Sequence, residues 1–405
     1  QKVASRHGLV CLLHEKPFDG VNGSGKHNNW SMATDAGVNL LTPGDTPFEN
    51  AQFLLFLCAV IKAVDDYQDL LRLSVASAGN DHRLGANEAP PAVVSIFLGD
   101  ELMAVLDAIE NDKTLGAAER TVMKLGAHVL PKFTRDTTDR NRTSPFAFTG
   151  NKFEFRMLGS SNSIAGANIM LNAAVAESLK VYADRLESAA DFETALHDLI
   201  KETIKTHKRI IFNGNGYDDA WIKEATEKRG LLNLRTTPDA LARFCDEKNV
   251  RMLTAHKIFS KAEIESRYEI NLENYCKTVN IEALTMIDMA KKEILPAVLS
   301  YSAELSDTLL KKKAALPELA CAFESKTVAR LSVLSDEIGK AIEGLEAAVV
   351  KYRSVSDVAK AADLIRDLIL QKMAELRVVC DEAEGLTAKK YWPFPTYSDL
   401  LFGVR

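Results

Sequence analysis

With 405 residues, of which 46% are hydrophobic, the chain is long enough for two domains or one large elaborated domain with a sizeable core. Fifty basic and 56 acidic side chains give a formal net charge of -6, and no basic stripe is interleaved with aromatic residues, which argues against a nucleic-acid partner. Six cysteines without paired spacing predict reduced thiols, and the most apolar run, 51–64, is shorter than the roughly 20 residues of a membrane-spanning helix, so we expect a cytoplasmic protein with no membrane partner.

The first predicted element is a β-hairpin around a glycine bend. The stretch 8–16, GLVCLLHEK, is typical of a buried strand, and NGSGKHNNWS at 22–31 joins two glycines to an alternating second strand. His27 and Asn29 share one polar face of that strand, which predicts that the face lines a site. From these residues alone, His27 is either a metal ligand or an ordinary hydrogen-bonded histidine. Because the chain opens on Gln1 and runs directly into an apolar strand, we expect that it begins inside a domain.

A helix and a polar loop follow. A capping box begun by Thr46 predicts a helix that runs to about Leu71. The segment 79–91, GNDHRLGANEAPP, is too rich in Gly, Asn and Pro for a helix or a central strand, and so predicts a loop. Its ionisable side chains are Asp81, His82, Arg83 and Glu88. They fit either an active-site loop or a solvent-exposed one. Helical patterns at 99–112 and 116–130 come next.

The segment 139–156, DRNRTSPFAFTGNKFEFR, is the second region dense in charge. In a strand, Glu154 shares one face with Lys152 and Arg156, and phenylalanines occupy the other face. The charged face is either an exposed strand edge or, together with upstream arginines such as Arg142, a carboxylate ringed by guanidinium groups. The second arrangement is what phosphoryl transfer with a metal requires, and Glu154 is then the candidate metal ligand.

The remainder of the chain, from about residue 163, has helical periodicity. Three- and four-residue spacing predicts a coiled-coil-like seam of Leu331, Leu334, Ile338, Ala341, Leu345 and Ala348. A break at 352–357, with Ser354 as the cap, starts another helix, so we expect a helical hairpin or bundle. The segment 212–221, FNGNGYDDAW, follows a helical pattern and is interpreted as an inter-helix loop, not a dinucleotide fingerprint. The aromatic tail from Tyr391 is expected to dock on the body or on a neighbouring subunit.

Three of these stretches, in this order, carry a family resemblance. NGSGKHNNWS, HRLGANEAPP and RNRTSPFAF with NKFEFR resemble the C-terminal half of the glutamine synthetase catalytic domain. The residues of these motifs and the long helical region that follows them resemble the type III branch of that family. The resemblance implies an α+β fold, with a partial antiparallel sheet and helices of the catalytic domain over 1–160 and a mainly α-helical bundle over 161–405.

The resemblance also implies an activity and a set of site residues. Members of the family ligate ammonia to L-glutamate with ATP and Mg²⁺ or Mn²⁺, through γ-glutamyl phosphate. By that resemblance, His27 and Glu154 hold a metal. Glu88 closes a flap and helps to deprotonate ammonium, and Arg142 stabilises the phosphoryl charge. The implied glutamate-binding residues are Asn22, Gly23, Arg83 and Arg156.

Among the departures from the family pattern, two bear directly on the site. Lys152 stands where an arginine that contacts nucleotide phosphate is usual, which keeps the charge but loses the bidentate fork. The family's other metal carboxylates and its N-terminal domain come before Asn22, so we expect about half of a site in this chain.

The implied partners are glutamate, ammonium, ATP and further copies of the chain, in a dodecamer of two stacked hexameric rings. Two alternatives stay open: a related γ-glutamyl-amine ligase, and a non-catalytic helical assembly protein with a decayed ligase domain. The presence of His27, Glu88, Arg142 and Glu154 argues against decay, because a retired site has no physical need for a charged constellation lined by glycine.

Overall fold

A computed structural model describes residues 2–9, 11, 16, 20–86, 89–113, 142–396 and 399. The chain divides into two compact units, Leu13–Tyr268 and Gln1–Leu12 with Glu269–Arg405. We call the first the sheet unit and the second the helical unit. The proposed division of the catalytic domain and helical region at residue 160 stays a prediction.

The sheet unit contains a four-stranded mixed sheet. Its strands are β1 (Gly25–Trp30), β2 (Ile96–Phe97), β3 (Phe146–Phe148) and β4 (Phe153–Gly159). They lie in the order β1-β4-β3-β2; β4 pairs antiparallel with both neighbours, and β2 pairs parallel with β3. The α+β class is therefore confirmed. Because β4 is a central strand, the alternative prediction that its charged face is an exposed strand edge is wrong.

The predicted N-terminal hairpin is also wrong in the part of the chain that the structure describes. Lys2–Arg6 form a short helix, α1, and residues 8, 9, 11 and 16 lie in no strand. The partner of β1 is β4, more than 120 residues away in sequence. A short apolar run does not distinguish strand from helix by its pattern, whereas β4 offers buried phenylalanines at alternate positions.

Helices surround the sheet. Those of the sheet unit are α2 (Ala51–Asp66), α3 (Gln68–Leu73), α4 (Ala78–Arg83), α5 (Asp100–Glu110), α6 (Ile164–Glu187), α7 (Phe192–His207), α8 (Asp219–Lys223), α9 (Thr237–Leu241) and α10 (Glu247–Ala255). Single turns of 3-10 or π type extend three of them at Lys208–Ile210, Glu224–Lys228 and Ala242–Cys245. The core consists of α2 packed on α6 and α7, together with the phenylalanines of β3 and β4.

Two local predictions before residue 92 need correction. The first long helix is capped by Asn50, whose side chain accepts a hydrogen bond from the N–H of Phe53 at 3.0 Å, and not by Thr46. The predicted loop at 79–91 contains α4, which Ser77 caps. A good N-cap and burial of the helix outweigh the low helix propensity of its Gly and Asn. The helix predicted near 99–112 is observed as α5, and 116–130 lies outside the described residues.

The helical unit is built from long helices. Helix α11 (Lys261–Met289) enters it from the sheet unit and is followed by a π turn, Ala290–Ile294, and by α12 (Leu295–Ala315), α13 (Ala322–Arg353), α14 (Val358–Leu364), a second π turn, Ile365–Ile369, and α15 (Leu370–Leu386). The predicted seam on α13 is buried, except that Ile342 takes the place predicted for Ala341. The helix after the break is capped by Asp357 and not by Ser354.

The tail contacts α12 as far as the structure describes it. The hydroxyl of Tyr391 donates to Glu304, and the ring of Tyr391 lies 5.7 Å from that of Tyr301. All six cysteines are free thiols, as predicted. Within the described ranges, no helix combines the length and the apolar character needed to cross a membrane.

Candidate active site

The candidate site is built on the pairing of β1 with β4. Asn29 pairs with Glu154 and Asn28 with Phe155, but Lys26 pairs with Leu158, so β4 has one residue more than β1 over this interval. This is a β-bulge, in which Arg156 and Met157 lie opposite His27. Strand alternation still places His27 on the face of Glu154, and the bulge bends β4 beside that pair.

The imidazole of His27 and the carboxylate of Glu154 approach each other on this face. The Nδ1 atom of His27 lies 3.6 Å from Oε2 of Glu154, and the His27 side chain is 55% exposed whereas that of Glu154 is 8% exposed. The same Oε2 accepts hydrogen bonds from Nε and Nη2 of Arg156 at 3.2 and 3.1 Å. Arg156 is itself 2% exposed, so it balances the buried charge of the carboxylate.

The donor set of His27 and Glu154 fits a divalent cation. Two ligand atoms that each lie about 2.1 Å from one ion can be at most about 4.2 Å apart, and the observed 3.6 Å lies within that limit. Carboxylate oxygen and imidazole nitrogen suit Mn²⁺, and carboxylate oxygen suits Mg²⁺. Two protein ligands leave most of an octahedral shell for other groups, such as water or phosphate oxygens.

Arg83 contacts the backbone of β4 next to this pair. Its guanidinium donates from Nη1 to the Met157 carbonyl at 3.2 Å and from Nη2 to the Arg156 carbonyl at 3.3 Å, and the residue is 3% exposed. A Cβ atom on Gly25 would lie 2.1 Å from Nη2 of Arg83, so any larger residue there would displace the guanidinium. The structure thus assigns Arg83 a contact with the bulge, and its binding of glutamate stays a prediction.

Asn80 is a residue of this region that the sequence analysis did not identify. Its side-chain amide donates to the carbonyls of Val75 and Met157, both at 2.8 Å, and its Oδ1 accepts from Nη1 of Arg83 at 3.3 Å. It is fully buried. The sequence gives no signal for this role, because Met157, the partner that links Asn80 to the sheet, is distant in the chain.

The other predicted site residues lie on the turns that flank the strands. Asn22 and Gly23 precede β1, in a loop that is tied to the end of β4 by the hydrogen bond from the Ser160 N–H to the Ser24 carbonyl at 3.2 Å. Lys152 is half-buried in the turn before β4, and its carbonyl accepts from the Thr149 N–H at 2.8 Å.

Arg142 and Glu88 complete the predicted set. Arg142 is exposed in the turn before β3, and Glu88 lies outside the described residues. Of the predicted residues, the structure therefore brings His27, Glu154 and Arg156 into one group, with Arg83 against their backbone. The roles assigned to all of these residues stay predictions.

A second group with metal-ligand chemistry lies between α2 and the end of α7. Ligand atoms of Asp65, Asp66 and His207 all lie within 4.8 Å of one another. However, Nε of Arg209 donates to both oxygens of Asp65 at 2.9 and 3.0 Å, Nδ1 of His207 is 2.8 Å from Oδ2, and Lys62 pairs with Asp66. The cationic side chains already satisfy these carboxylates, so the group is an ion network that joins the two helices.

A second buried polar group lies between α3 and α4. Arg72, only 1% exposed, donates to the Leu234 carbonyl at 2.8 Å and to Oδ1 of Asp81 at 2.9 Å. The other Asp81 oxygen accepts from the Thr237 N–H at 2.6 Å. Burial raises the pKa of Asp81, although the positive charge of Arg72 opposes that shift. These bonds fasten the short helices of the site to the segment 207–249.

Comparison with known sequences finds similarity to one family. A family model described as the glutamine synthetase C-terminal domain matches residues 195–313. A glutamine synthetase of Butyrivibrio fibrisolvens is 47% identical over 413 residues, which cover 100% of this chain and 58% of that protein. A type-3 glutamine synthetase of Dictyostelium discoideum is 43% identical (99% and 56% covered), and a glutamine synthetase of Bacteroides fragilis is 40% identical (99% and 56% covered).

The chain is similar over almost its whole length to proteins named glutamine synthetase, and residues 195–313 match the C-terminal domain of that family. The similarity to a protein named type-3 glutamine synthetase confirms the resemblance to the type III branch. The chain spans between 56% and 58% of the length of these relatives.

Proposed function

We propose that the protein is a glutamine synthetase that ligates ammonia to L-glutamate with ATP, through γ-glutamyl phosphate. The observation that carries this proposal is the approach of His27 to Glu154, at 3.6 Å, in a chain with this family similarity. A divalent cation, Mg²⁺ or Mn²⁺, would supply neutralisation of the phosphate charge during transfer.

The side chains of this chain divide the remaining work in the proposal. His27 and Glu154 would hold the cation, and the two hydrogen bonds from Arg156 fix the orientation of the Glu154 carboxylate. Arg142, exposed on its turn, contributes positive charge to the phosphoryl group.

The residues that contact the other substrates follow from the family resemblance. Lys152 contacts the nucleotide phosphates, and Glu88 closes the site and accepts the ammonium proton. Glutamate is held by Asn22, Gly23, Arg83 and Arg156. The protein acts in the cytoplasm as a dodecamer of two hexameric rings, with residues 1–160 as part of the catalytic domain.

The experiment uses the full-length protein and measures glutamine formed from glutamate, ammonium and ATP while Mg²⁺ or Mn²⁺ is varied. Glu154→Gln and His27→Ala should lower kcat roughly 10²- to 10³-fold and raise the metal concentration for half-maximal rate, because each removes one ligand. Glu101→Gln and His197→Ala, at exposed positions on α5 and α7, are the matched controls and should behave as wild type.

Two results would contradict the proposal. Full turnover with an unchanged metal requirement in Glu154→Gln would refute the role of the carboxylate. A wild-type protein that ligates polyamines in clear preference to ammonium would instead be a γ-glutamyl-amine ligase.

A further inference from the structure

The segment 211–216 reads IFNGNG and lies against the edge of the sheet; we call it the FNGNG loop. Ile211 forms a parallel bridge with Ile96 of β2, and the N–H of Phe212 donates to the Ile96 carbonyl at 2.8 Å. The sequence predicts only an inter-helix loop here. In the structure, the loop also extends the sheet beyond β2.

Side chains anchor this loop at two further points. Oδ1 of Asn213 accepts from the N–H groups of Leu98 and Gly99 at 3.1 and 3.3 Å, directly before α5. The Phe212 ring stacks on Trp221 with centroids 3.7 Å apart and an interplanar angle of 6°. The position of the loop is consequently fixed by hydrogen bonds on one side and by aromatic packing on the other.

An arginine completes this anchor from the opposite side. The guanidinium of Arg229 lies 4.9 Å from the Trp221 ring centroid and donates to the Ile211 carbonyl at 2.8 Å. The Arg229 guanidinium lies over the stacked aromatic pair and also donates to a carbonyl of the loop. It therefore connects the loop to the helical turn that follows α8.

The far end of the loop touches the turn that carries Arg142. The N–H of Gly216 donates to Oγ1 of Thr143 at 2.8 Å. A Cβ atom at position 216 would lie 2.8 Å from the Thr143 carbonyl oxygen and 3.5 Å from Cδ of Pro91. The two backbones lie so close together that any side chain at position 216 would displace one of them. The contact therefore requires glycine.

We propose that Gly216 is a positioning residue of the ligase site, which acts through Thr143 to hold the turn on which Arg142 is exposed. The inference rests on the proposed function, since it gives that turn a phosphate-binding task. An exposed arginine is useful for phosphoryl transfer only if its backbone is fixed, because a misplacement of about 1 Å can cost roughly 10²-fold in rate. The FNGNG loop, outside the predicted catalytic domain, would then be a part of the active site.

The test compares four variants of the full-length protein. Gly216→Ala forces the two backbones apart, and Thr143→Val removes the acceptor with little change of shape. Thr143→Ser keeps the hydroxyl, and Gly339→Ala is the matched glycine control, because a Cβ there meets no atom within 4 Å. The measurements are kcat, KM for ATP, KM for glutamate, and hydrogen exchange of peptides that cover 142–148.

The first two variants should lower kcat roughly 10- to 100-fold, with KM for glutamate within about twofold of wild type. Exchange over 142–148 should accelerate in the same two variants. Thr143→Ser and Gly339→Ala should match wild type in both measurements. Unchanged exchange, or faster exchange with unchanged kcat, overturns the positioning role even if the wild type makes glutamine. A wild type that makes no glutamine overturns the proposed function itself.

Discussion

The side-chain amide of Asn80 donates a hydrogen bond to the carbonyl of Met157 at 2.8 Å, and Met157 is one of the two bulged residues that lie opposite His27. A bulge leaves a backbone group without its ladder partner, and here α4 supplies the missing donor. Through Asn80, α4 therefore supports the approach of His27 to Glu154 by holding the backbone of the bulge.

Asn80→Ala should destabilise the protein by about 2–4 kcal/mol, because two buried carbonyls, of Val75 and Met157, each lose a donor. Urea denaturation measures this loss. The matched control is Asn111→Ala, which removes one hydrogen bond at an exposed position and should cost less than about 1 kcal/mol. Equal losses in the two variants would show that Asn80 does not support the bulge.

Arg72→Leu should be strongly destabilising. It removes a guanidinium that is 1% exposed and leaves the carboxylate of Asp81 without its cation, and such a broken buried pair costs about 3–5 kcal/mol. The double variant Arg72→Leu/Asp81→Asn should recover part of that loss, since the uncompensated charge is gone. It should not recover all of it, because the Leu234 carbonyl still lacks its donor. Strictly additive losses would contradict the coupling.

The stability contribution of Asp81 should depend on pH with a defined sign. Burial raises its folded-state pKa above the ordinary aspartate value of about 3.9. At pH values between the ordinary pKa and the raised pKa of the folded state, the folded protein then binds more protons than the unfolded chain. Its free energy of unfolding, relative to Asp81→Asn, should therefore fall as pH rises through that interval.

Urea denaturation of the wild type and of Asp81→Asn across this pH interval gives the difference between their free energies of unfolding. The exposed Asp107→Asn is the control and should leave the pH profile of the wild type unchanged. A difference between wild type and Asp81→Asn that increases with pH would show that the Arg72 charge outweighs the effect of burial.

Alternation along the sequence was sufficient to predict which side chains of each strand share a face in the candidate site. The family resemblance implied that His27 and Glu154 meet, which the structure shows at 3.6 Å, and alternation placed Asn29 on the face of His27 and Arg156 on the face of Glu154. Those signals are local, since they depend on period and on residue type within a few positions.

The partners of these residues could not be predicted in the same way. The pairing of β1 with β4 joins segments more than 120 residues apart, and a short apolar run gives no information about which strand it pairs with. The same limit explains why Asn80 and Gly216 were missed, since an asparagine and a glycine in polar segments are typical of loops. Their importance lies in backbone groups that only the folded chain brings to them.

The six free thiols should differ widely in reactivity. Burial raises the pKa of Cys58 to about 12 and the pKa values of Cys276 and Cys380 each to about 11, whereas Cys11 and Cys245 are exposed. At pH 8, Cys58 has on the order of 10³-fold less thiolate than an ordinary cysteine and is also shielded from reagents. Mass spectrometry after brief alkylation should find Cys11 and Cys245 modified first. Early modification of Cys58 in the folded protein would contradict its burial.

The seam of α13 should determine the stability of the helical unit. Leu345 is fully buried on α13, a helix that packs on α12 and α15, so Leu345→Ala should cost about 2–5 kcal/mol through lost burial and the cavity it leaves. Val350→Ala, on the exposed side of the same helix, is the control and should change stability by less than about 0.5 kcal/mol. Hydrogen exchange localises the effect, because faster exchange should appear in peptides of α12, α13 and α15. If both variants lost the same stability, the seam that three- and four-residue spacing predicts would not be the packing surface of this unit.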